Sequence, residues 1–184
     1  MANTVVRIQK SIPTSAIAFS AGTWTQSTVG TRTRAVKTAA ADGQTFITIP
    51  LTFERPYGQY GFRLQEIYIP YNMDVAAPST GWQGLIVNRH DLDNPTTGSG
   101  TSVAQTSFGS LFGMAFQQGQ SAVTNTNISS TSQAIIITPN SAAWENETGS
   151  LNRTEWAVQI NYTPAATTTV TIWPPIVRYD TTVG

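Results

Sequence analysis

The only histidine of the chain, His90, is followed by two carboxylates, Asp91 and Asp93. Carboxylate oxygens in a polar loop are ligands that Ca²⁺ prefers, so Asp91 and Asp93 are the candidates for a metal site. The glycine and the distal glutamate of an EF-hand loop are both missing, and a strand that runs into a polar turn accounts for the same residues. We therefore expect no metal and no other cofactor.

Catalytic chemistry has few groups to draw on in this sequence. A serine triad would have to use His90, and the Gly-x-Ser-x-Gly pattern of a nucleophile elbow does not occur. The chain contains no cysteine, which removes thiolate nucleophiles and any disulfide framework. An enzyme would have to bring His90 and a carboxylate together in a cleft. We expect that the protein is not an enzyme.

The five tryptophans are the stronger lead, because aromatic rings on a β-scaffold can form a stacking platform for sugars. Trp156 is in phase with core residues and Trp173 lies in an apolar strand, so we expect both of them in the core. Trp24, Trp82 and Trp144 lie among Thr, Gly and Asn residues and are the candidates for ligand stacking. A carbohydrate-binding β-sandwich module that uses these three rings, with a glycan as its partner, is the alternative function.

The surface charge is unusually low. Charged residues make up 11% of the chain, against about 25% in a typical soluble protein, and the formal net charge is zero. The arginines are spread along the sequence and form no basic run, which argues against nucleic acid as a partner. A chain without net charge also lacks the repulsion that keeps proteins apart. The expected partners are copies of the chain itself.

The sequence shows neither a secretory signal peptide at its start nor a membrane helix. The first residues, Met1 to Arg7, lack the basic and apolar regions of a secretory signal peptide. No apolar run approaches the roughly 20 residues of a membrane helix. We expect a protein that is not exported by the Sec route and has no membrane partner.

Apolar residues recur at every second position over most of the chain, which is typical of half-buried strands. The clearest examples are residues 47–53 and 156–162. Pro50 cannot donate a ladder hydrogen bond, so it indicates an edge strand or a bulge. Further strand candidates are residues 4–9, 17–28, 33–39, 84–92, 101–117 and 134–138.

Two irregularities interrupt the alternation. In residues 60–71 the apolar phase changes by one residue at Gln65 and Glu66, which predicts a β-bulge. In residues 167–179, Pro174 and Pro175 should break the pairing of an apolar strand. Turn-rich segments separate these elements. The sequence therefore predicts an all-β fold, an antiparallel, jelly-roll-like β-sandwich of roughly eight to ten strands.

The chain also resembles a family: the small all-β structural proteins in the virions of tailed phages and related viruses. The resemblance is one of order and spacing over most of the chain. It is carried by Ala21-Gly22-Thr23-Trp24-Thr25, by residues 37–45 leading into the strand 46–53, by Gly61-Phe62-Arg63-Leu64, and by the closing pair 156–162 and 167–176. It implies a jelly-roll-like subunit of a capsid, decoration or tail structure that contacts other virion proteins. The implied location is the virion, assembled in the host cytoplasm, and no catalytic residue is carried over.

A chain of 184 residues suits one domain, so we expect a single β-sandwich over residues 1–184. Residues 1–15 and 179–184 are low in charge and extended in character, and we expect them to be arms that contact neighbouring subunits. Apolar side chains exposed on one subunit become buried when subunits meet. The candidates for such contacts are Phe19, Phe112 and Tyr179.

Overall fold

The computed structural model describes residues 4–37, 45–51, 62–73, 82–91, 104–106, 112–116, 129–139, 154–162 and 169–183. Only the backbone is described in residues 62, 73, 82–91, 104–106, 112–116, 129–133, 139, 154–156, 161–162 and 182–183. These residues form 13 strands and one 3-10 turn at Thr14–Ala16. The strands are β1 (Thr4–Ser11), β2 (Ala18–Phe19), β3 (Trp24–Val29), β4 (Arg32–Lys37), β5 (Thr45–Leu51), β6 (Phe62–Met73), β7 (Trp82–Asp91), β8 (Ala104–Thr106), β9 (Phe112–Phe116), β10 (Ser129–Pro139), β11 (Thr154–Tyr162), β12 (Val170–Ile172) and β13 (Ile176–Val183). No helix in this part of the chain is long and apolar enough to cross a membrane.

The strands form two antiparallel sheets. Sheet A has eight strands, in the order β1-β13-β6-β12-β4-β3, with β10 bonded to β6 and β9 bonded to β10. Sheet B has five strands, in the order β2-β5-β11-β7-β8. Buried side chains from both sheets belong to one hydrophobic cluster, so the sheets pack face to face. The expected all-β antiparallel sandwich is confirmed.

The strand pairing is nested from the ends of the chain inward. β1 pairs with β13, β5 with β11, β6 with β10, and β7 with β8. β13 also pairs with β6, and β11 with β7, which joins the nested pairs side by side into the two sheets. Eight strands wrapped in this way form a jelly roll, and the remaining short strands extend its edges.

The core lies between the sheets and follows the period-two pattern of the sequence. In β5, the side chains of Ile47, Ile49 and Leu51 are buried, while Phe46 points outward and is 37% exposed. Each buried aliphatic side chain of this size contributes about 1.5–3 kcal/mol relative to an exposed one. Pro50 lies beyond the two residues of β5 that pair with β2, so β5 is an edge strand at that point among the described residues, as the sequence predicted.

The predicted bulge in β6 is confirmed. Arg178 of β13 lies opposite Glu66, but the next residue, Tyr179, lies opposite Leu64, so Gln65 is the extra residue in β6. Leu64 and Ile67 are both buried although three positions separate them. The bulge therefore restores the inward phase of the apolar residues.

The predicted break at the two prolines is also confirmed. β12 ends at Ile172 and β13 begins at Ile176, because Pro174 and Pro175 have no N–H to donate to a ladder. The Ile12 N–H donates to the Pro175 carbonyl at 2.8 Å, which fixes the chain after β1 beside the break. β12 and β13 consequently follow one another along the same side of β6. β4 pairs with β12, and β1 pairs with β13.

The two ends of the described chain pair with each other. β1 and β13 form a continuous antiparallel ladder from Thr4 opposite Val183 to Ser11 opposite Ile176. Of the segments expected to be extended arms, 1–15 and 179–184, the ladder includes residues 4–11 and 179–183. Within it, Tyr179 and Thr181 of β13 are buried, and β1 supplies the pairing partner of β13 on that side. Contacts of these segments with neighbouring subunits stay a prediction.

Candidate functional site at the edge of sheet A

β1 lies at one end of sheet A and presents an exposed edge. It pairs with β13, and no other strand in the described parts of the chain pairs with it. All residues of β1 are exposed except Ile8 and Lys10, which are half-buried. Val5 is 52% exposed and Val6 is 40% exposed, and both are large apolar residues. An open edge of this kind offers backbone N–H and C=O groups to another strand.

The two faces of β1 differ in what they contact. Val6, Ile8 and Lys10 lie opposite Thr181, Tyr179 and Val177, which are all buried. Ile8 packs against the hydrophobic core, so this face points into the sandwich. The other face, with Val5, Arg7 and Gln9, lies on the outside of sheet A. The strand is thus anchored on one side and open along its edge.

Asp180 holds three strands together on the outer face of sheet A. Its carboxylate accepts from Arg7 Nε of β1 at 2.9 Å on Oδ1. On Oδ2 it accepts from Arg63 Nη2 at 2.7 Å and from Gln65 Nε2 at 2.9 Å, both in β6. Only 2% of the Asp180 side chain is exposed. A carboxylate can be buried at this depth because several donors replace its hydration.

The electrostatics of Asp180 follow from these contacts. The hydrogen bond from Arg7 is the largest influence and lowers the pKa of Asp180 below its ordinary value. Burial acts in the opposite direction, and the hydrogen bond and charge of Arg63 add to the lowering. The same contact with Asp180 raises the pKa of Arg7. Both groups are therefore charged at neutral pH.

A second polar row crosses the same three strands. Arg178 of β13 donates from Nη1 to Glu66 Oε1 of β6 at 2.5 Å, and from Nε to Gln9 Oε1 of β1 at 3.1 Å. Arg178 is 40% exposed, so this ion pair contributes less than about 1 kcal/mol to stability. The row nevertheless fixes the register of β1 against β13. We call the residues of both rows (Arg7, Gln9, Arg63, Gln65, Glu66, Arg178 and Asp180) the outer polar ladder.

The outer polar ladder was not predicted from the sequence. Arg7, Arg63 and Arg178 are far apart along the chain, and the spacing of the arginines indicated only that no basic run exists. The alternation shows that Arg178 and Asp180 share the outward phase of their strand. It does not show which strands lie beside them, and that pairing brings the ladder together.

The indole ring of Trp24, a candidate for ligand stacking, already stacks on another aromatic side chain. Its indole lies against Phe19 with the ring centroids 3.9 Å apart and the planes at 11°. Trp24 Nε1 donates to the Ala21 carbonyl at 3.2 Å, and both aromatic residues are half-buried against the core. One face of Trp24 is therefore closed to a sugar. Of the other two candidates, Trp82 begins β7 with only its backbone described, and Trp144 lies outside the described residues.

The expected contact residues have a different role where the structure describes them. Tyr179 is fully buried, so the expectation that it is exposed for a neighbouring subunit is wrong. It alternates with Val177 and Thr181 on the inward face of β13, which explains its position. Phe19 is half-buried and stacks on Trp24, and its contact with a neighbouring subunit stays a prediction. Phe112 lies opposite Pro139 at one end of β9, and its side chain is outside the description.

Trp173 lies on the outer face of sheet A and is half-buried, so its expected position in the core is wrong. Its indole N–H donates to Asn72 Oδ1 at 3.3 Å, and the Arg34 guanidinium lies 5.9 Å from the ring centroid. Ile172 already faces the core, so the next side chain along the strand faces outward. For Trp156, the other tryptophan expected in the core, the structure describes the backbone in β11.

The residues proposed for chemistry lie at the end of β7. The backbone of His90 pairs with Glu155 and that of Asp91 with Thr154, while Asp93 lies outside the described residues. Where side chains are described, no group of three or more His, Cys, Asp or Glu residues could hold a metal ion. No model of a known protein family matches the chain, and no curated protein matches its sequence.

Proposed function

We propose that the chain is a non-enzymatic structural subunit of a virion or a similar protein assembly, and that it acts by binding copies of itself. The observation that carries this proposal is the edge strand β1, which has two exposed apolar residues, Val5 and Val6, and an edge with which no other described strand pairs. Soluble proteins usually block such an edge, because it invites another strand. An edge that no other described strand covers over its whole length suits a subunit that is covered by its neighbour.

The fold supports the same proposal. Jelly rolls occur in viral capsid proteins and also in lectins and cupins, so the strand order is compatible with the virion class without selecting it. The resemblance in the order and spacing of sequence segments favours the virion class among these. Other virion proteins are expected as further partners.

The charge distribution also favours association. The net charge of the chain is zero, and each of the three arginines of the outer polar ladder contacts one of its two carboxylates within the subunit. Two copies therefore experience no strong long-range repulsion from their overall charge. The ladder also holds β1 in place, so the docking edge is preformed and a neighbour need not order it.

The carbohydrate-binding alternative gains no observation of its own from the structure. Trp24 is stacked on Phe19, which removes one of the three rings that a sugar platform would use. A binding module of this kind would act as a monomer, which gives a direct contrast with a self-associating subunit.

The test is the solution mass of the purified, untagged chain, measured by light scattering over a concentration series and followed by negative-stain imaging. We expect a defined oligomer, a ring or a filament whose population grows with concentration. A strict monomer at every concentration would contradict self-association, and a glycan array would then test the alternative.

A further inference from the structure

We infer that two copies of the chain join through β1, which forms an antiparallel pair with β1 of the second copy so that Ile8 lies opposite its own counterpart. The inference rests on the proposed function and names the contact through which self-association begins. The two A sheets would then form one continuous sheet across the two-fold axis.

The backbone of β1 supplies the attraction. In an antiparallel strand, successive residues direct their N–H and C=O groups alternately to the two neighbouring strands. β13 uses those on one side of β1, over the full length Thr4–Ser11. The groups on the other side meet no strand in the described chain, and their pairing with an identical strand satisfies both copies at once.

Symmetry limits the register of this pair. A two-fold axis perpendicular to the sheet keeps the core-facing side of both copies on the same side, so residues opposite each other must share a face. The axis must then lie midway between one residue and the same residue of the second copy, which we call an axis through that residue. For a strand of residues 4–11, the paired length is greatest when the axis passes through Arg7 or through Ile8.

Charge selects between these two registers. An axis through Arg7 would place two guanidinium groups directly opposite each other, which is destabilising. An axis through Ile8 places Ile8 against Ile8, and Arg7 against the neutral amide of Gln9 of the second copy. It also places Lys10 against Val6 of the second copy, and no like charges face each other. Val5, the most exposed apolar residue of the strand, lies opposite Ser11.

The contact also agrees with the burial of β1. Ile8 and Lys10 are only half-buried although their face points into the sandwich, because the strand lies at the edge of the sheet. A second β1 would cover Ile8 and Val6 on that face and Val5 on the outer face. The Arg7 side chain would keep its bond to Asp180, so pairing does not require the outer polar ladder to be broken.

The absence of cysteine from the chain gives a direct test by cross-linking. In the Ile8 register, an Ile8→Cys variant places two thiols opposite each other, with Cα atoms about 4.5–5.5 Å apart. This distance lies within the range that a disulfide bridges, so mild oxidation should give a covalent dimer on a non-reducing gel. Val5→Cys is the matched control, since it lies on the same strand and is more exposed but does not face itself.

A second cross-link leaves the core contact of Ile8 intact. Separately purified Val5→Cys and Ser11→Cys variants are mixed before oxidation, with one of them carrying a small mass tag. The Ile8 register predicts that the mixed disulfide exceeds the two homodimers taken together, because residues 5 and 11 lie opposite each other between copies. Random collision would give the three dimers in statistical proportion.

Light scattering on the unmodified chain distinguishes a wrong β1 contact from an absence of self-association. Preferential Ile8→Cys dimers and mixed disulfides would support the β1 contact. Assembly of the unmodified chain without either cross-link would overturn the β1 contact but leave the proposed function standing. A monomer at every concentration, with no preferential cross-link, would overturn both.

Discussion

Arg7 and Asp180 lie opposite each other on the first and last strands of the jelly roll, with Arg7 Nε 2.9 Å from Asp180 Oδ1. The two residues are 173 positions apart in the sequence. Arg63 reaches the same carboxylate from the strand on the other side. One buried acid therefore ties the edge strand β1 to the interior of sheet A, and the edge proposed for self-association depends on it.

Replacement of Asp180 by alanine should destabilise the subunit. The change leaves the Arg63 guanidinium, which is 29% exposed, without its carboxylate partner, and it removes the group that attracts Arg7. We expect the free energy of unfolding to fall by about 3 kcal/mol, as measured by urea denaturation. Asp180→Asn keeps the shape and is the matched control, with a smaller loss expected. A wild-type denaturation midpoint for Asp180→Ala would contradict the role given to the ladder.

The contribution of Asp180 should depend on pH. Because the Arg7 hydrogen bond lowers the pKa of Asp180 in the folded state, its stabilisation is fully present above the ordinary carboxyl value of 3.8. It is lost as the pH falls through the lower, folded-state pKa, since the unfolded chain then binds the proton more readily. The measurement is the difference in urea midpoint between wild type and Asp180→Asn, followed from neutral pH downward. That difference should shrink only in acid, and a difference that is the same at all pH values would exclude this linkage.

Tyr179 should behave as a core residue and not as a contact between subunits. Its fully buried ring leaves a large cavity when it is replaced by alanine, so we expect a loss of about 3–5 kcal/mol in unfolding free energy. The effect should be present in dilute protein, where no assembly forms. Val5→Ala is a suitable comparison, because an exposed residue should change the stability of the dilute subunit by about 0.5 kcal/mol or less. A Tyr179→Ala effect seen only at high concentration would restore the interface interpretation.

The stacked pair of Phe19 and Trp24 should contribute to stability. Phe19→Leu keeps apolar volume but removes the ring contact, so we expect a loss of about 0.5–1.5 kcal/mol, together with a change in tryptophan fluorescence. Phe46→Leu, at an exposed position of β5, should have neither effect. If a soluble sugar quenched Trp24 fluorescence in the wild type, the ring would be open and this assignment would be wrong.

The sequence predicts the local features of this fold well and its pairing poorly. The bulge at Gln65 follows from a phase change in the apolar residues, and the break at Pro174 follows from a missing donor. The contact between Arg7 and Asp180 cannot be predicted from the local sequence. A period of two shows which face of the sheet a side chain lies on, but it does not show which strand lies beside it. The expected exposure of Tyr179 is wrong for the same reason, since the pairing of β13 between β1 and β6 makes Tyr179 part of the core.

The nested pairing of the jelly roll has a consequence during synthesis. β1 is the first described strand to leave the ribosome, yet its partner β13 is the last, so their ladder must close a loop that contains almost the whole chain. Contacts this distant in sequence form slowly. An incomplete chain therefore has no finished β1 edge to offer a neighbour. In this way the order of synthesis would delay association through β1 until β13 has been made.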